Sequence, residues 1–107
     1  MNGYINLDKE HSDFLSIFDN IGVKKLSLKK LESQNEVDIV LTSLSKYGET
    51  KKNLSDIETS SKPLPTLIIA NNKEFDQAID LISNDRIEVV SNQSRVSEVN
   101  ARINSLL

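Results

Sequence analysis

The chain contains no cysteine and a single histidine, His11. Disulfides, thiolate zinc centres and thiol catalysis are therefore excluded, as is any site that needs several imidazoles. Glycine is scarce, three residues in 107, and no glycine-rich phosphate loop is present. Positive charge is not in excess: the net charge is −3 and the pI about 5.1, which does not favour nucleic-acid binding by this domain. No apolar run approaches the ~20 residues that span a bilayer. Residues Met1 to Asp8 lack the basic-then-apolar order of a secretory signal. These absences predict a soluble cytoplasmic domain that acts without membrane, metal ion or cofactor.

What is present is a strand–helix alternation. A length of 107 residues suits one domain, and roughly two thirds of the unfolded surface can be buried at that size. The centre of the pattern is Val37-Asp38-Ile39-Val40-Leu41-Thr42-Ser43-Leu44. Ile39, Val40 and Leu41 run without a polar break, as in a parallel strand covered on both faces. Before it, Tyr4 to Leu7 reads as a strand, and Ser12 as the cap of a helix with Phe14, Leu15, Phe18 and Ile21 on one face. Gly22 follows as a helix end. Val23, Leu26 and Leu28 form a second strand, and Lys29 to Glu36 leaves space for a turn or two of helix at most.

After the central strand, Ser45 to Thr50 reads as a loop and Lys51 to Ser61 as a thin helix carrying Leu54 and Ile57. Pro63 and Pro65 break it. Thr66 to Ala70 is a further buried strand. A helix follows with Phe75, Ala78, Ile79 and Ile82 on one side. Ile87 to Val90 is the fifth strand. Ser94 precedes a last helix striped with Val96, Val99, Ile103, Leu106 and Leu107. Short turns and right-handed crossovers give a doubly wound parallel sheet. The expected fold class is therefore α/β, flavodoxin-like, five strands in order 2-1-3-4-5, with the second helix short or absent. The chain is expected to be one domain over residues 1–107. Its end at the close of the last helix suggests the N-terminal piece of a longer regulator.

At this level the sequence resembles the receiver domain of two-component response regulators. Asp38 to Leu44 is similar to that family's third strand and Leu64 to Ala70 to its fourth, including the proline before the strand. Val89 to Ser91 and Val96 to Leu107 are similar to its last strand and last helix. The resemblance implies a phosphoryl-transfer pocket, and four of its five positions have changed. Asp8 matches the first magnesium-binding acid, but Lys9 stands at the second. Ser43 stands at the phosphoacceptor aspartate. Ala70 replaces the Ser or Thr that ends strand four. Asn92 replaces the lysine that ends strand five, with Gln93 at the usual proline. Val89 stands at the aromatic switch position.

Magnesium needs hard oxygen ligands. A lysine in their place repels a dication by several kcal/mol at ~4 Å and an effective dielectric of about 20. A serine hydroxyl does not replace an acyl-phosphate acceptor without a base beside it, and Ala70 and Asn92 offer less to transferring charge. The bland alternatives are that Ser43 is a small polar residue bonded to Lys9, that Asp8 is solvated or Lys-paired, and that His11 is exposed at a helix start. The sharper ones make Ser43 a phosphosite, or Lys9 with Ser43 an anion site.

Two charged surfaces stand out. Lys24, Lys25, Lys29 and Lys30 cluster around strand two and read as a solvated face. Asp80, Asp85, Arg86, Glu88, Arg95, Glu98 and Arg102 mix signs around the last two helices and strand five. Such a surface suits an isologous dimer, and the resemblance implies a dimerisation face there. The expected function is that of a pseudo-receiver. It would be a non-enzymatic interaction or dimerisation module of a signalling or transcription regulator, with an attached output domain. One alternative is a receiver still phosphorylated at Asp8 or Asp38; another is a small flavodoxin-like ligand-binding domain.

Overall fold

The structure, a computed structural model, describes residues 1–26, 36–55, 57, 63–81 and 86–107. The chain runs β1 (Asn2–Asn6), a 3-10 turn (Lys9–His11), α1 (Phe14–Asn20), β2 (Lys24–Lys25), β3 (Ile39–Ser43) and a 3-10 turn (Leu44–Lys46). It continues with α2 (Tyr47–Leu54), β4 (Thr66–Ala70), α3 (Phe75–Ile79), β5 (Ile87–Ser91) and α4 (Val96–Leu106). The five strands form one sheet in the order β2-β1-β3-β4-β5, and every pairing is parallel. This is the expected flavodoxin-like order. Among the described residues, no helix is long and apolar enough to cross a membrane.

All five residues of β3 are buried, because helices cover both sides of it. Ile39 and Leu41 point to one face, where Leu67, Ile69 and Val90 meet Phe14 and Phe18 of α1 and Val99, Ile103 and Leu106 of α4. Val40 points to the other, packing with Tyr4 and Leu54. Further along that second face, Ile68, Ala70 and Val89 meet Ala78 of α3. Each large apolar side chain so buried stabilises by about 1.5–3 kcal/mol relative to exposure. Two glycines permit the β1–β2 corner. Gly22 turns the chain out of α1 at φ 87°, a conformation that costs other residues. At Gly3, a Cβ would come within 2.5 Å of Val23 Cγ1.

Several boundaries differ from the sequence pattern. The first strand is Asn2–Asn6 rather than Tyr4 to Leu7, because its register with β3 ends at Asn6 opposite Thr42. The predicted loop over Ser45 to Thr50 is a 3-10 turn running into α2, which ends at Leu54. Thr50 is the reason: it is a polar residue, yet it is buried on the same helix face as Leu54. Neither Ser12 nor Ser94 caps a helix; Asp13 and Arg95 hold those positions, without side-chain caps. Leu15, Ile79, Val96 and Leu107 are exposed instead of joining their helices' apolar faces. The short second helix, Leu28, Lys29, Lys30, Ile82 and Asp85 lie outside the described residues. The second strand keeps two residues, both lysines and both exposed, which suits a sheet edge.

Candidate functional site

Parallel strands bring all their carboxyl ends to one edge. That edge carries Asp8 after β1, Ser43 at the end of β3, Ala70 at the end of β4 and Asn92 after β5. In the order 2-1-3-4-5 the direction of winding reverses between β1 and β3, and ligand crevices in open α/β sheets form at such a switch point.

Asp8 stands at that point and is fully engaged. Its backbone N–H donates to Ser43 Oγ at 3.2 Å. Its carboxylate accepts the His11 N–H at 3.2 Å, capping the 3-10 turn. The same oxygen lies 2.7 Å from His11 Nδ1. An ionised carboxylate only accepts, so Nδ1 carries the proton in this contact. The other oxygen accepts from Ser45 Oγ. Partial burial pushes the Asp8 carboxyl up, but the hydrogen bonds from Ser45 and His11 and the charge of His11 together hold it below its ordinary value.

Two expectations change here. His11 is 2% exposed rather than open at a helix start. The turn folds its ring back beneath Asp8 and against Phe14, with centroids 6.4 Å apart. Its Nε2 is buried with no hydrogen-bond partner. Ser43 is 0% exposed and bonds the main chain of Asp8, not Lys9. A hydroxyl closed off in this way is not presented to a modifying enzyme or to a free anion. Asp8 pairs with His11 and Ser45, not with Lys9, which is exposed on the turn.

A second network braces this half from the other face of the sheet. Thr42 Oγ1 donates to the Asn6 carbonyl at 3.0 Å and lies 3.0 Å from Thr50 Oγ1. Asn6 Nδ2 donates to Thr50 Oγ1 and to Glu49 Oε2, each at 3.1 Å. Asn53 Nδ2 donates to the Tyr4 hydroxyl at 3.1 Å. These bonds join α2 to β1 and β3.

The ends of β4 and β5 are open by contrast. Glu10, Asn71, Asn72, Lys73, Asn92 and Gln93 line a depression of about 310 Å³. Asn71 links the loops: Nδ2 donates to Glu10 Oε1 at 3.3 Å, and Oδ1 accepts the Glu74 N–H at 3.0 Å. Ala70 is buried, and its carbonyl takes the Asn92 N–H at 2.9 Å. A larger depression, about 450 Å³, lies away from this edge between α1 and β2.

Asp8, Glu10 and His11 each bring a potential ligand atom within 4.8 Å of the others. The set has the chemistry of a divalent-cation site, but both Asp8 oxygens already accept hydrogen bonds from His11 and Ser45. Asp38, the other candidate carboxylate, lies at the opposite end of β3, where it accepts the Asn2 N–H at 2.6 Å.

Compared with family models, curated proteins and solved structures, the chain finds no match.

The mixed-charge surface is divided by the structure. Glu88 points to α4, where it accepts from Arg102 at 3.4 Å and from Ser105 at 3.3 Å. Arg86 sits just before β5, at its amino end, and donates to the Pro63 carbonyl at 3.4 Å. Asp80, Arg95 and Glu98 are exposed around α3 and α4, which pack on opposite faces of β5. Asp85 lies outside the described residues. Sequence reasoning missed Ser45, Thr50 and Glu10. The Asp8-to-His11 spacing of three is a cap signal available in the sequence, whereas Ser45 reaches Asp8 only through the turn after β3.

Proposed function

We propose that the chain is a receiver-like regulatory module that does not undergo aspartyl phosphotransfer and works through protein contacts. The observation that carries this reading is the residue at the end of the central strand. Ser43 stands where the resemblance calls for a phosphoacceptor carboxylate, and it is buried against the main chain of Asp8. The neighbouring carboxylate is held by His11 and Ser45. The hydroxyl is closed to a phosphoryl donor, and the partly exposed carboxylate already accepts hydrogen bonds at both oxygens.

The contact surface in this reading is the β5 edge flanked by α3 and α4. The Glu88–Arg102 pair fastens α4 to β5. Asp80, Arg95 and Glu98 remain as the charges that a second copy, related by a two-fold axis, would meet. An output domain attached to this module would be brought together by such pairing, as in a signalling or transcription regulator. Sedimentation equilibrium over about 1–100 µM, a range that reads micromolar affinities, tests this. A dimer that weakens in Arg95→Glu and is restored by adding Glu98→Arg supports the reading. A monomer at every concentration removes self-association from it.

A further inference from the structure

We propose that the open half of the strand-end edge binds a small zwitterion of the α-amino acid class. The inference rests on the depression itself and not on the altered phosphoacceptor position.

The lining is unusual in its chemistry. It holds one carboxylate, Glu10, one ammonium, Lys73, and the four carboxamides of Asn71, Asn72, Asn92 and Gln93. The β1 side is negative, because an Asp8 carboxylate oxygen lies within 4.8 Å of one from Glu10. The β4–α3 side carries the positive charge of Lys73. A ligand with an ammonium at one end and a carboxylate at the other matches both signs. Carboxamides, which donate and accept, suit a ligand that presents both kinds of group.

The same features argue against other ligands. A nucleotide phosphate would meet one lysine beside a pair of carboxylates, with net repulsion from the β1 side. An apolar molecule would find few carbon surfaces. The volume of about 310 Å³ lies at the small end of ligand pockets, in keeping with a metabolite of amino-acid size.

The walls are also held in place before any ligand arrives. Asn71 ties the β1 loop to the start of α3 through Glu10 and Glu74. The Asn92 N–H is fixed on Ala70, and the Gln93 N–H on Ser91 Oγ at 3.2 Å. Lys73 and the side-chain amides of Asn72, Asn92 and Gln93 have no hydrogen-bond partner in the protein among the described residues. The fixed backbone reduces the ordering cost of binding, leaving only the free side chains to be ordered by the ligand.

The test is a nitrogen-15 chemical-shift titration of the whole chain with the common free amino acids, each added singly to about 10 mM, a range that reads millimolar affinities. The expected result is a saturable shift of the amides of residues 10, 71–73 and 92–93 with at least one amino acid. Its decarboxylated amine and its deaminated acid should bind at least about tenfold more weakly. Glu10→Gln and Lys73→Met, both exposed and checked for fold by their spectra, should each weaken the amino acid by about tenfold. Three results would overturn the proposal: no saturable shift with any amino acid, an amine or acid alone that binds equally well, or unchanged binding in both variants.

Discussion

At the ends of β1 and β3, the Asp8 carboxylate is held by His11 and Ser45, and Ser43 is closed off beneath its main chain. At the ends of β4 and β5, a lysine and three carboxamides face solvent around a depression. Both regions are loops after parallel strands, the usual place for a site. The difference is where the hydrogen bonds go. In the first region they run inward and tie the turn after β1 to the end of β3 and the turn that follows it. In the second they fix the backbone and the Asn71 side chain, and leave Lys73 and the side-chain amides of Asn72, Asn92 and Gln93 free among the described residues. Polar residues at a strand end are therefore not one class: some are fasteners, and some are available to a ligand.

The largest effect should come from returning a carboxylate to the fastened side. Ser43→Asp would bury a charge at a fully enclosed position beside Asp8, and the cost should be at least about 3 kcal/mol. Urea unfolding measures it; a change under about 1 kcal/mol would mean that the pocket is open and the comparison false. Next is Asp8→Ala. It removes a turn cap and leaves the His11 Nδ1 proton unpaired in a buried place, costing about 2–3 kcal/mol and lowering the melting temperature by roughly 10 °C. Thr50→Val should cost about 1 kcal/mol, since it strips the hydroxyl that Thr42 and Asn6 share.

A pH series sharpens the same contrast. The folded carboxyl of Asp8 is held below its ordinary value, so its contribution is present above the unfolded value of 3.8 and is lost as pH falls through the folded one. Wild type should therefore lose more stability than Asp8→Asn on acidification below about pH 4; parallel curves would show that the carboxylate gains nothing from its partners. The smallest effect belongs to the open side, where Lys73→Met should leave stability within about 0.5 kcal/mol.

The fold was largely legible in the sequence. Unbroken runs such as Ile39–Leu41 and Leu67–Ile69, short and rich in β-branched residues, read as strands covered on both faces, and the spacing of Phe14 with Phe18 and of Val99 with Ile103 marks the covering helices. The start of α2 was not legible, because Thr50 is buried through hydrogen bonds rather than through apolar surface. The site was legible in position only. Asp8 and Ser43 could be placed at one edge, but their partners depend on turns. His11 looks exposed until the 3-10 turn rotates it inward, and Ser45 has no sequence signal linking it to a residue 37 positions away.

The central claim is that the fastened half of this edge does not accept a phosphoryl group. Incubation of the whole chain with acetyl phosphate and magnesium, followed by intact-mass measurement, tests it most directly. The predicted result is an unchanged mass. A hydroxylamine-sensitive mass gain of one phosphoryl group that disappears in Asp8→Asn would contradict it.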